Sequence, residues 1–421
     1  MDIKVFLTEN SSSPILILST LLLLLFIIKQ TKSFFSHNIR NLPPGPPTLP
    51  IIGNLHQVGD KLHVSLYKLA QEYGPLISLK LGTKILVVAS SPEAAMGILK
   101  TQDRSIVFDK DLLDLEEEHE TFVGVKRSLL MILEYVSRVK DVGSFFPVFQ
   151  RFDLQGIRKG GLKHVQEVFD YWKDMIDERR AHMGSSTWSS AQSKSFLDRL
   201  LENGFSDIRI NQYVTELFVA GTNTTTTALI WALAEIVKNQ DVMTKIKEEI
   251  KREIKSDKIK VSQLSKLPYL QACVKESLRL HPPVPFLLPR LAIETCEVMN
   301  YTIPKNAQIF VNIWAIGRDP KVWDDPLSFK PERFLDSNLD YKGQDFELLP
   351  FGSGKRICPS LPLGSKSIEF IIASLIHEFD CVLPDNEVPS KLDMEDKFQI
   401  TLGKDKPLKL IFKHKHGSTK V

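Results

Sequence analysis

The chain has 421 residues, with 54 Lys and Arg against 51 Asp and Glu. So even a balance excludes the strongly basic surface that nucleic-acid binding requires. Cys273, Cys296, Cys358 and Cys381 are widely spaced with no CxxC pair, so neither a disulfide framework nor a zinc site is indicated, and the chain reads as one of a reducing compartment. The length allows a large core and sets only a soft expectation of two or three domains.

The first predicted element is an apolar stretch. Asn10 to Ile28 carries no charge, and as a helix it would reach roughly 28 Å, about the thickness of a bilayer's hydrocarbon. A cleaved signal would want a positive start and a small-residue cleavage site, and neither is present. Lys29, Lys32 and Arg40 follow the run, so the positive-inside rule places everything downstream in the cytosol. Leu42 to Pro47 holds four prolines and cannot continue a helix; it predicts a stiff extended segment.

Next, His63 to Tyr73 has helical apolar spacing and stops at Gly74-Pro75. Leu76 to Leu81 and Lys84 to Val88 predict a hairpin turning at Gly82-Thr83. Ser91 caps a helix with Pro92 in its first turn, running to about Thr101. Leu162 to Arg180 predicts a long amphipathic helix, and His182 to Ser195 an exposed, Ser-rich loop. Asp207 to Lys238 is the longest helical candidate, with one glycine and a threonine run at its centre. Asp241 to Lys258 predicts a mixed-charge helix with a solvated face. The next helix opens near Lys266 and stops at Pro282-Pro283; Glu276 and Arg279 share one of its faces at i, i+3. Cys296 to Trp314 alternates as strands, with Asn300 and Asn306 at positions suited to positive φ. Phe398 to Gly403 and Leu408 to Phe412 predict a closing hairpin.

The stretch with the most chemistry runs from Pro350 to Cys358. Gly352 and Gly354 allow tight backbone angles, Lys355 and Arg356 add positive charge, and an apolar helical run from Ile368 to Ile376 follows. A thiolate needs such surroundings to stay deprotonated and soft enough to bind a metal. Phe351, Gly352, Gly354, Arg356 and Cys358 resemble the haem-ligand loop of the cytochromes P-450, in which the cysteine is the axial ligand of haem iron. The likeness extends from about Asn41 to Phe412. It is nearest to plant microsomal members that hydroxylate terpenoids, of the geraniol 8-hydroxylase and ferruginol synthase type. Asp153 to Arg158, Leu217 to Thr222, Gly317 to Pro320 and Gly343 to Phe351 carry it.

The resemblance implies a mainly α fold with small β-sheets (α+β). Residues 1–30 would be a membrane anchor, 31–50 a basic, Pro-rich hinge, and 51–421 the catalytic domain. It implies haem b bound through Cys358, with Arg290 and Arg356 on its propionates and Phe351 and Gly354 shaping the ligand loop. On the central helix, Ala220 and Gly221 would leave room for oxygen and substrate. Thr224 would donate to iron-bound oxygen, and Asn223 stands where the family carries a proton-relaying acid. Val284, Phe286, Leu287 and Ile400 would line the substrate pocket. Glu276, Arg279 and Arg333 would form a buried network supporting the fold. The implied reaction inserts one atom of O2 into a C–H bond of a small lipophilic, terpenoid-like substrate. Electrons would come from NADPH through a membrane reductase, in a single-pass protein of the endoplasmic reticulum.

Three departures accompany the likeness. Around Asp109 to Glu120 the family's third to fifth helices are missing, and with them a Trp-x-x-x-Arg motif that holds a propionate. Trp314 to Arg318 has those letters but lies after the pocket strand. Asn223 is an amide, which does not titrate near neutral pH. Ser360 adds a side chain where the family usually has glycine. These departures keep two alternatives open, a non-catalytic remnant and a haem-thiolate isomerase or dehydratase.

Overall fold

The computed structural model describes residues 18, 19, 21, 22, 41–108, 142–184, 194–398 and 401–415. Most of the run 10–28, the cations Lys29, Lys32 and Arg40, the acidic stretch 109–120, residues 185–193 and Ile400 lie outside them. Leu18, Leu21 and Leu22 are helical and exposed.

The Pro-rich segment is stapled to the body. The Pro44 carbonyl accepts from Ser78 N at 2.9 Å, and Asn54 Nδ2 donates to the Pro47 carbonyl at 3.1 Å. Helix α1 (Leu62–Tyr73) follows and ends at Gly74, as the Gly-Pro stop predicts. Strands β1 (Leu76–Leu81) and β2 (Lys84–Ala89) pair antiparallel with Leu81 opposite Lys84, so Gly82-Thr83 is the turn. Ser91 Oγ accepts from Ala94 N at 3.2 Å and caps α2 (Pro92–Met96), which continues as a π-helical turn over Gly97–Thr101. Strand β3 is Ile106–Phe108.

Long helices then build the main body. These are α3 (Ile157–Met183), α4 (Asp207–Lys238), α5 (Gln240–Glu253) and α6 (Pro268–Leu280). Helix α4 has the bounds read from the sequence; α5 is shorter, because Ile254 turns to extended backbone. Helix α4 is long and apolar enough to cross a membrane. From Ala228 to Val237, however, it is largely buried among α5, α6 and α7 (Leu361–Glu378), as a core helix.

Strands β4 (Arg290–Ala292), β5 (Cys296–Val298), β6 (Tyr301–Ile303) and β7 (Gln308–Val311) come next, with Asn300 (φ 62°) and Asn306 (φ 66°) at the turns expected. One sheet has the order β1-β2-β7-β4-β3, and β5 and β6 form a separate pair. The closing hairpin requires a correction. Strand β9 (Asp396–Phe398) pairs with β10 (Leu402–Lys404), whereas β11 (Ile411–His414) pairs with β8 (Phe379–Val382). Three residues suffice to turn β9 into β10, so Leu408 to Phe412 is left free to run back to the strand that follows α7. The mainly helical fold with small sheets stands as read.

Candidate functional site

Cys358 sits on a loop held by its own backbone. Gly352 (φ 74°) and Gly354 (φ 73°) take left-handed angles, and Cys358 N donates to the Phe351 carbonyl at 2.9 Å. Gly354 has a second constraint: a Cβ there would lie 2.3 Å from the Leu99 carbonyl. Glycine thus lets the loop dock against the turn after α2. The Cys358 carbonyl accepts from Leu361 N at 3.2 Å, which places the thiol just before the N-terminus of α7. Ser360 is half-buried at the N-cap, its side chain making no cap bond. Phe351 packs edge-on to Tyr341 with centroids 5.3 Å apart.

The other cysteines are buried, and burial pushes the thiols of Cys273, Cys296 and Cys381 up, against thiolate formation. Cys358 is partly exposed.

A set of charges lies beside the loop. Arg290 is buried, 3.6 Å from Asp103 Oδ1, and its Nη1 has no hydrogen-bond partner among the described residues. Burial pushes the Arg290 guanidinium down; Asp103 opposes this and Arg356 adds to it. Lys355 Nζ is 4.0 Å from Asp103 Oδ2. A buried donor left unpaired costs about 1–3 kcal/mol, so the set fits an anionic group that would satisfy Arg290. Asp103 escaped the sequence reading, because its contacts with Arg290 and Lys355 span the chain and no local spacing marks them.

The central helix carries the next group of predicted site residues. Ala220 and Gly221 are exposed, and a Cβ at Gly221 would meet no atom within 4 Å among the described residues. Thr224 Oγ1 donates back to the Ala220 carbonyl at 2.6 Å. Asn223 Nδ2 donates to Thr401 Oγ1 at 2.9 Å. Thr401 was missed too, although Asn223, Thr227 and Trp231 fall at i, i+4 and i+8 on one helix face and could have signalled a partner.

Leu287 reaches the cysteine loop, lying 3.7 Å from where a Gly352 Cβ would stand. Val284 is half-buried beside it in the chain. Phe286 is buried instead between Phe310 and Phe398, with centroids 5.1 and 5.8 Å away. Trp314 and Arg318 stack at 4.0 Å beside His63 and Tyr67, so this Trp-x-x-x-Arg belongs to the packing of α1.

Glu276, Arg279 and Arg333 are brought together. Arg279 donates Nε and Nη2 to Glu276 at 2.7 and 2.8 Å, and Arg333 Nε donates to Glu276 Oε1 at 3.0 Å. Arg279 Nη1 also reaches the Gly317 and Pro326 carbonyls.

Comparison with known proteins gives a family and close relatives. The cytochrome P450 family model matches residues 43–123 and 104–412, two pieces that overlap at 104–123. A probable (S)-N-methylcoclaurine 3'-hydroxylase isozyme 2 of Coptis japonica is 40% identical over 493 positions, covering 96% of this chain and 99% of the relative. Geraniol 8-hydroxylase of Catharanthus roseus is 35% identical, covering 94% and 99%. An (S)-N-methylcoclaurine 3'-hydroxylase isozyme 1 of Papaver somniferum is 36% identical, covering 88% and 95%. The first alignment runs to 493 positions against a chain of 421 residues, so that relative carries positions which this chain lacks.

Proposed function

The chain belongs to the cytochrome P450 family of haem-thiolate monooxygenases, alongside plant hydroxylases of alkaloids and terpenoids, and from that premise we propose that it hydroxylates a small lipophilic plant metabolite of one of those classes. The observation that carries this reading is the combination of Cys358, on its glycine loop at the start of α7, with the buried Nη1 of Arg290, which makes no hydrogen bond among the described residues and has only Asp103 Oδ1 at 3.6 Å. A haem needs a soft axial ligand and cations for its propionates, and these residues offer both. Bound haem supplies the activation of O2 and the insertion of one oxygen atom into a C–H bond.

The chain's own residues do the remaining work. Cys358 would hold the iron, and Arg290 and Arg356 would hold the propionates, with Asp103 orienting Arg290. Phe351 and Gly354 fix the loop. Ala220 and Gly221 leave the central helix bare for substrate, and Val284 and Leu287 are apolar wall. Thr224 offers a hydroxyl on that face. Electrons come from NADPH through a reductase. Residues 10–28 anchor the chain in the endoplasmic reticulum membrane with the catalytic domain in the cytosol.

The test is the reduced carbon monoxide difference spectrum of the chain in sealed microsomes. The expected result is the Soret band of a thiolate-ligated haem, abolished in Cys358→Ser and lost when protease is added outside the vesicles. Persistence of the band in Cys358→Ser would overturn the ligand assignment.

A further inference from the structure

The closing hairpin of β9 and β10 is attached to the central helix by a row of side-chain donors. Asn223 Nδ2 donates to Thr401 Oγ1 at 2.9 Å, and one turn on, Thr227 Oγ1 donates to the same oxygen at 3.5 Å. A further turn on, Trp231 Nε1 donates to the Leu402 carbonyl at 2.7 Å. Positions i, i+4 and i+8 lie on one helix face, so the three donors meet two consecutive hairpin residues. Thr401, Thr227 and Trp231 are buried. On the hairpin's other side, Leu402 N donates to the Pro283 carbonyl at 2.7 Å, in the segment leading to Val284 and Leu287. The hairpin therefore stands between two walls of the proposed pocket, and its place depends on neutral donors from α4.

Asn223 stands where the family resemblance implies an acid. An amide donates at any pH, whereas an ionised carboxylate has no hydrogen to give. The Asn223 amide is also directed at Thr401, a buried group of the same wall.

We propose that Asn223 is a positioning residue: its amide locks the closing hairpin to the central helix and so fixes the pocket wall, in place of a proton-relaying role. This rests on the chain being a substrate-oxidising member of its family. Isosteric apolar replacements remove the lock from either side, as Asn223→Leu and Thr401→Val. Thr401→Ser keeps the hydroxyl.

The experiment uses the full-length protein in detergent and reads amide hydrogen exchange over residues 401–404. Asn223→Leu and Thr401→Val should each speed exchange about threefold to tenfold, the worth of one neutral hydrogen bond. Thr401→Val also removes the longer bond from Thr227, so the double variant should go no further than Thr401→Val, and Thr401→Ser should exchange like the unmodified chain. With (S)-N-methylcoclaurine and geraniol as probes, each apolar variant should raise KM by the same factor and leave kcat within about twofold. Unchanged exchange in both single variants would overturn the lock. So would a rise in peroxide released per NADPH in Asn223→Leu with Thr401→Val silent, since that pattern belongs to proton delivery. Absence of the thiolate Soret band, with the exchange pattern intact, would strike the proposed function and leave the lock standing.

Discussion

His281 lies flat against Trp231, with ring centroids 4.0 Å apart and planes 4° from parallel, and its Nε2 is 2.7 Å from Glu235 Oε1. Burial pushes its pKa below 6.5; Glu235 and Asp396 pull the other way, and Arg318 adds to the lowering. The sign follows from which state takes the proton. The unfolded chain protonates this imidazole as pH falls through about 6.5, and the folded chain does so only at lower pH. Acidification from pH 7.5 to 5.5 should therefore destabilise the fold, with this residue contributing at most about 1.4 kcal/mol per pH unit. His281→Gln, which keeps a donor for Glu235, should flatten that part of the slope. Urea midpoints at the two pH values measure it, and equal slopes in both proteins would count against the assignment.

At the scale of elements, α6 is locked to the segment before the cysteine loop by the Glu276 network. Glu276 and Arg279 have fully buried side chains, and Glu276 Oε1 also accepts from Lys330 N at 2.9 Å. Removing Arg279 takes from a buried carboxylate its two-pronged partner and leaves it only Arg333 and the Lys330 amide, so Arg279→Ala should cost about 3–5 kcal/mol. Arg333→Ala leaves Glu276 with Arg279 and the Lys330 amide, and should cost less, about 1.5–3 kcal/mol. Denaturant midpoints rank the two, and equal costs would mean that the shared carboxylate is not what holds α6. This network was legible in the sequence because Glu276 and Arg279 share a helix face and Arg333 stands in a recognisable Pro-Glu-Arg-Phe run. The glycine turn that carries Cys358 was legible for the same reason, since its glycines and cations are neighbours in the chain. The bounds of α4 could be read too, because the stretch runs 32 residues with no proline and one glycine. Asp103, Thr401 and the partner of β11 could not, because each acts across a long sequence separation that leaves no local pattern. The closing hairpin was misread for that reason: apolar alternation marks Leu408 to Phe412 as a strand without saying which strand it meets.

At the scale of the whole molecule, the central helix is buried along its second half and bare along much of its first. Leu217 and Phe218 are 47% and 44% exposed, and Ile208 and Tyr213 are exposed with them. A native domain seldom leaves so many large apolar side chains on one helix uncovered. The extra aligned positions of the relative, and the overlap of the two family matches at 104–123, support a missing stretch that would pack there. Covering each large side chain is worth about 1.5–3 kcal/mol, a sizeable share of the about 5–15 kcal/mol by which native domains are stable. By the family resemblance the missing stretch would also bring its own propionate ligands, so the proposed haem site would have only Arg290 and Arg356 for that role. Monooxygenase activity should therefore be weak as the chain stands. Inserting the Coptis relative's additional residues within 104–123 should raise the urea midpoint, the haem retained per chain and the product formed per NADPH. Adding Asn223→Asp to both versions separates the effect of that position from the effect of the segment. If the unaltered chain retains haem and turns over (S)-N-methylcoclaurine or geraniol as well as the restored one, then α4 does not need the stretch, and the exposed face of Leu217 and Phe218 is stable without it.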